Sequence, residues 1–284
     1  MKTVSLVLGS GGARGYTHIG VIEEIEKRGY KIEAISGSSM GALIGGLYAC
    51  GKLQEYKEWV LGLDIIDIAK LVDFSFFNNG MIKGDKVFNI LEKMIGRVNI
   101  EDLPIEYSAV ATDITKQKEV WLQKGDLLEA IRASIAIPTI FTPKKIDDRY
   151  LIDGGVLNPL PIAPTLSANT DITIAVNLNA TNTKNYNIKI PKEEIEKQNK
   201  ILEWFFEFKK SSFFDDDEMG IFTIFGKTID IMQNNILECK MAGYKPDIMI
   251  NIPNDICGFY EFNKAYEMIE LGKMIAKEEL KDRD

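Results

Sequence analysis

The apolar positions of this chain follow two kinds of spacing. Val4 to Leu8 is almost wholly apolar, as expected of a parallel strand covered on both faces. Thr17 to Arg28 instead sets Ile19, Ile22 and Ile25 along one helical face, carries Lys27 and Arg28 in its last turn and stops at Gly29. The run from Lys31 to Ser36 completes a strand–helix–strand unit. Met40 to Cys50 reads as a helix with a small-residue face at Gly41, Ala42, Gly45, Gly46 and Ala49, which allows close packing on a sheet. Further strands are expected at Tyr107 to Ala111, Tyr150 to Ile152 and Ile172 to Leu178, separated by helices over Lys86 to Ile95 and Leu127 to Ser134. Such alternation predicts an α/β fold, a mostly parallel central sheet with helices on both faces.

The pattern changes near Asn179 to Asn187, a polar loop before Pro191. Beyond it, Lys192 to Lys210 and Ile221 to Lys240 read as helices, Asp247 to Ile252 as a late strand and Phe262 to Leu280 as a closing helix. Residues 191–284 are thus expected to form a helical covering region on a core at 3–178, all within one domain spanning 1–284. Aromatic residues are dense from Trp204 to Phe214. They are expected to cover the sheet, with a lid or membrane-contacting segment as the other reading. Asp215 to Glu218 reads as a solvated acidic turn.

Composition narrows the function classes. The chain has 284 residues, of which 45% are hydrophobic and 27% charged, ordinary for a globular protein. A net charge of −8 without a basic stripe disfavours nucleic acid as a partner. Cys50, Cys239 and Cys257 are odd in number and widely spaced, which suggests neither a disulfide framework nor a zinc site, and a reducing cytosol fits best. The N-terminal apolar run breaks at Gly9-Ser10-Gly11-Gly12 and is followed by Arg14, so it reads as a strand entering a loop rather than a leader.

Three segments carry candidate chemistry. Gly37-Ser38-Ser39-Met40-Gly41 has the spacing of a strand-to-helix elbow, where flanking glycines tolerate strain and leave the central hydroxyl uncovered. Ser39 is therefore a candidate nucleophile. The stretch from Glu33 to Lys52 has no charge between its ends, but its glycines and serines make it a buried elbow rather than a membrane span. The one histidine, His18, lies upstream behind a second glycine-rich loop and is expected to be structural, with a base other than imidazole at work.

That loop, Gly9-Ser10-Gly11-Gly12-Ala13-Arg14-Gly15, follows the first strand and can present N–H donors. As a dinucleotide fingerprint it lacks a glycine at Arg14 or Ser10, depending on register, although Glu33 could act as the acidic ribose partner. Arg14 sits at the unfavourable end of a helix dipole. Its charge either compensates a developing anion or enters a structural salt bridge. The third segment is Asp153-Gly154-Gly155, a carboxylate at a strand end beside two glycines, well placed to accept a proton in a cleft, though by itself it reads as a plain turn.

In this order the three segments resemble the patatin-like phospholipase family. The resemblance extends through Arg132 to Pro138 with Phe141 and Pro143, through Asn158-Pro159-Leu160-Pro161, and weakly into Pro246 to Ile250 and the closing helix. It implies a three-layer α/β fold, a Ser39–Asp153 dyad without a catalytic histidine, and an oxyanion hole at Gly11, Gly12 and Arg14. Gly9, Gly15, Gly37, Gly41, Gly154 and Gly155 support these motifs. Ser10 stands where stricter forms of the first motif carry glycine. The implied activity is acyl-ester hydrolysis of lipids through an acyl-enzyme, with no metal and no organic cofactor. Acyl transfer on the same dyad and non-catalytic lipid binding are the alternatives. Ile135, Ile137 and Phe141 are expected to wall the substrate pocket. The expected protein is cytoplasmic, with transient contact at a membrane surface.

Overall fold

Among the described residues, alternating apolar and amphipathic runs build an eight-stranded sheet flanked by helices. The computed structural model describes residues 1–63, 67, 85–138, 141–181, 184, 186–191, 194 and 221–281. Apart from residue 194, the expected helix over 192–210 lies outside the described residues, as do the aromatic stretch from Trp204 to Phe214 and the acidic run from Asp215 to Glu218. In chain order the elements are β1 (Thr3–Leu8), α1 (Thr17–Lys27), β2 (Lys31–Ser38), α2 (Met40–Ala49), α3 (Leu53–Gly62), α4 (Asp85–Ile95), β3 (Glu106–Asp113), β4 (Lys118–Leu122), α5 (Leu127–Ser134), β5 (Lys144–Ile146), β6 (Arg149–Asp153), β7 (Ile172–Ala180), α6 (Ile221–Met241), β8 (Ile248–Pro253) and α7 (Ala265–Glu279).

Five strands run parallel in the order β3-β2-β1-β7-β8. Their nearly continuous apolar character has a direct cause, since both faces are covered. Leu6, Leu8, Ile174 and Val176 enter the main core with Ile19 and Ile22 of α1 and Leu271 and Ile275 of α7. Val7 and Ala175, one position out of phase, enter a smaller cluster with Leu160 and Ile162, closed by Leu237 and Met241 of α6. The fold is the expected three-layer one.

The remaining strands, β4, β5 and β6, are antiparallel. Their register decides the site. Ala109 and Val110 of β3 pair with β2 and β4 at once, so these two strands occupy opposite edges of β3. Ala111 to Asp113 pair with β4 and β6 at once, so β6 lies on the β2 edge. There β6 meets the end of β2 head-on, with Ser38 opposite Val110 and Asp153 opposite Ala111.

Elements α3, β4 and β5 add to those expected from sequence. The segment Lys-Glu-Val-Trp-Leu of β4 is half exposed, and β5 is three residues long, so neither displays a full period. In α3, Leu53, Tyr56 and Val60 are buried at i, i+3 and i+7, a helical pattern that was there to be read. The closing helix begins at Ala265, after a 3-10 turn over Phe262–Lys264.

Candidate active site

Ser39 is forced into an unusual conformation where β2 becomes α2. Its φ of 56° and ψ of −124° lie in a region that non-glycine residues avoid unless the surroundings hold them there. The turn is tight because Gly41 brings α2 against the end of β1, where a Cβ would lie 2.0 Å from the Leu8 carbonyl oxygen. The Ser39 carbonyl accepts from the amides of Ala42 (2.9 Å) and Leu43 (3.1 Å) and so starts the helix. Its amide donates to Ser134 Oγ at 3.0 Å, and that hydroxyl donates to the Val110 carbonyl at 2.6 Å. The elbow is thus tied to β3 through α5.

Asp153 reaches the same point from β6. Ser39 Oγ donates to Asp153 Oδ2 at 2.5 Å. The other carboxylate oxygen, Oδ1, accepts from the Gly155 amide at 2.7 Å, and the Asp153 amide donates to the Ala136 carbonyl at 2.9 Å. Both side chains are buried. Burial disfavours the ionised carboxyl and raises its pKa from 3.8 to about 7, while the hydrogen bonds from Ser39 and Gly155 act in the opposite sense.

The glycine-rich loop is pinned on almost every side. Gly9, Ser10 and Ala13 donate their amides to the carbonyls of Val176, Pro159 and Phe259. The Gly9, Ser10 and Gly11 carbonyls accept from His18 Nε2, Asn179 Nδ2 and Arg14 Nε. Gly12 has a φ of +57°, and a Cβ there would lie 2.4 Å from the Phe259 carbonyl oxygen, so a side chain is doubly disfavoured. Among the described residues, the buried Gly11 and Gly12 amides have no acceptor.

Arg14 takes the structural alternative. Its guanidinium is fully buried in a salt bridge with Asp230 of α6 at 2.5 Å and also donates to the Asn254 carbonyl at 3.2 Å. The charge is already compensated, and through Nε the side chain shapes the loop at Gly11. His18 likewise faces the loop's main chain. Its Nε2 faces the Gly9 carbonyl at 2.8 Å, which makes Nε2 the protonated nitrogen, and burial lowers its pKa to about 4. The imidazole is neutral and makes no hydrogen bond with Ser39.

Of the expected pocket residues, Ile135 belongs to the main core, Ile137 is buried, and the Phe141 ring meets Phe88 at 6.1 Å. The same Phe88 borders a cleft of about 420 Å³ with Arg132 stacked over its ring at 4.7 Å. Ser134, Asn179, Asp230 and Gln233 carry contacts that the sequence reading did not assign. For Ser134 a signal existed, because it is a polar residue on the same face as the buried Ala130 and Ile131. Among the described residues, no group of His, Cys, Asp and Glu could hold a metal ion, and no helix is long and apolar enough to cross a membrane.

Comparisons with known proteins bear on the family and the fold. The family model described as patatin-like phospholipase matches residues 6–166. An uncharacterized NTE family protein of Mycobacterium tuberculosis is 36% identical, across 98% of this chain and 91% of its own length. Human patatin-like phospholipase domain-containing protein 6 is 34% identical over 62% of this chain, a match covering 13% of that protein. The crystal structure of VipD from Legionella pneumophila superposes with a TM-score of 0.57 at 16% identity, covering 98% of this chain and 67% of VipD, a likeness of fold.

Proposed function

The chain belongs to the patatin-like phospholipase family, and on that premise we propose that it is a serine-dependent lipid acyl hydrolase working through a Ser39–Asp153 dyad. Family membership supports lipid hydrolysis in general. The observation that carries the finer reading is the 2.5 Å contact between Ser39 Oγ and Asp153 Oδ2 at a strained elbow, with the carboxyl pKa raised to about 7. An ordinary aspartate is too weak a base for a hydroxyl, and this shift brings Asp153 close to working pH.

The steps follow from the groups present. Asp153 takes the Ser39 proton as Oγ attacks the ester carbonyl carbon, and the tetrahedral oxyanion is received by the Gly11 and Gly12 amides, which no other described group occupies. Collapse expels the alcohol, which takes the proton from Asp153. Water then adds to the acyl-enzyme by the same route in reverse, releasing the fatty acid and regenerating Ser39. His18 holds the Gly9 carbonyl and takes no proton. The lipid partner implies transient contact with a membrane surface, and a cytoplasmic location is part of the proposal.

The test is turnover of a soluble ester by Ser39→Ala and Asp153→Asn, together with labelling by a serine-directed fluorophosphonate. Both variants are expected to fold and to lose nearly all activity, since the two residues act as one unit. Only Ser39→Ala should lose the labelling site. Normal turnover by a folded Ser39→Ala protein would exclude this mechanism.

A further inference from the structure

Helix α6 lies beyond the family match, which ends at residue 166, yet it reaches the glycine-rich loop at two points. Asp230 and Gln233, at i and i+3, share one face of the helix. Asp230 pairs with Arg14. Gln233 is 4% exposed and closes a triangle of hydrogen bonds. Its Nε2 donates to Ser10 Oγ at 3.1 Å, its Oε1 accepts from Asn179 Nδ2 at 3.1 Å, and Asn179 Nδ2 also donates to the Ser10 carbonyl at 3.3 Å. The amide also packs against Gly155, where a Cβ would lie 2.4 Å from Gln233 Nε2 and 2.6 Å from Ser10 Oγ. The Gly155 amide in turn holds Asp153 Oδ1.

From this arrangement we infer that Gln233 is a positioning residue that fixes the loop bearing the Gly11 and Gly12 amides relative to the Ser39–Asp153 pair. The inference rests on the proposed hydrolase reading and adds to it a residue from outside the family match. A side-chain amide suits the task because it has a donor and an acceptor in one plane, and both are used. The buried Ser10 hydroxyl, absent from stricter forms of the motif, becomes the loop's handle. Fixing this spacing matters only when charge develops on the substrate oxygen, because preorganised donors act at the oxyanion and little on the ground-state carbonyl.

The experiment compares Gln233→Leu, Ser10→Ala and the double variant with the native enzyme. Kcat and KM are measured on a soluble ester, each normalised to the final extent of fluorophosphonate labelling, and affinity is measured for a trifluoromethyl ketone that forms an oxyanion adduct with Ser39. Expected for Gln233→Leu is a fall in kcat per labelled site of about tenfold or more, short of the 10²–10³ for outright loss of an oxyanion donor, with KM unchanged. Ketone affinity should weaken in parallel. The double variant should be no worse than Gln233→Leu alone, because the two residues share one interaction.

A purely structural role would lower melting temperature and the labelled fraction while leaving kcat per site intact, and that result overturns the inference. Additive losses overturn it as well. Should Gln233→Leu fail to fold, Ser10→Ala decides alone, since it removes one hydroxyl from a loop, and unchanged kcat and ketone affinity there would be fatal. Activity surviving in Ser39→Ala brings down the hydrolase reading and this inference together. An inactive Ser39→Ala with normal per-site turnover in Gln233→Leu brings down this inference only.

Discussion

Ser134 holds Ser39 by the main chain, its hydroxyl accepting from the Ser39 amide at 3.0 Å while donating to the Val110 carbonyl at 2.6 Å. Nothing else described binds that amide, and the residue it belongs to has a φ of 56°. Ser134→Ala leaves the buried Ser39 amide unmet, a loss of about 1–3 kcal/mol. The elbow should relax, and a displacement near 1 Å costs on the order of 10²-fold in rate. Urea unfolding and kcat on a soluble ester check both expectations; an intact kcat with reduced stability would confine Ser134 to the fold.

The pH dependence of activity should follow Asp153. Only the ionised carboxylate can take the Ser39 proton, and burial raises its pKa to about 7. Log kcat/KM should therefore climb with unit slope below that value and level off above it. His18, with a pKa lowered to about 4, should leave no mark between pH 5 and 9. A midpoint near the ordinary carboxylate value of 3.8 would remove burial as the cause.

The same shift has a consequence for stability. Between pH 3.8 and about 7 the native protein holds a proton on Asp153 that the unfolded chain has released. The native state binds more protons in that window, so this group's contribution to stability falls as pH rises and levels off once Asp153 is ionised in both states. Asn at this position cannot ionise. Asp153→Asn should melt higher than the native protein at pH 8, and the gap should narrow toward pH 5 in parallel thermal scans. A gap independent of pH would place its origin elsewhere.

His18→Gln should keep activity within about tenfold, below the 10²–10⁴ lost with a general base, because its Nε2 serves the Gly9 carbonyl. The glutamine amide can donate to the same oxygen. A loss matching that of Ser39→Ala would give the imidazole a chemical part.

Lipid as the substrate implies a preference for long acyl chains and weak, reversible sedimentation with vesicles. Hydrolysis rates for esters of increasing chain length, below and above the concentration at which they aggregate, check this. Confinement to short soluble esters would indicate a general carboxylesterase. EDTA should leave turnover of a soluble ester unchanged.

What the sequence determined by itself is what each segment does locally. The apolar continuity of Val4 to Leu8 and Ile172 to Leu178 gave parallel strands, since both faces of such strands are buried, and the glycines around Ser39 gave the elbow, since a Cβ at Gly37 would strike the Gly41 backbone and one at Gly41 the Leu8 carbonyl. Tertiary structure alone decided the partners. Ser39 and Asp153 are 114 residues apart and meet because consecutive residues of β3 pair with the ends of β2 and β6, a register that no local period encodes. Resemblance to a family had to supply that pair. Ser134 to Ser39 across 95 residues, Arg14 to Asp230 across 216 and Ser10 to Gln233 across 223 were not legible in this way. Periodicity records that a position is buried, whereas the partner of a buried polar group is fixed only when packing brings distant elements within hydrogen-bond reach.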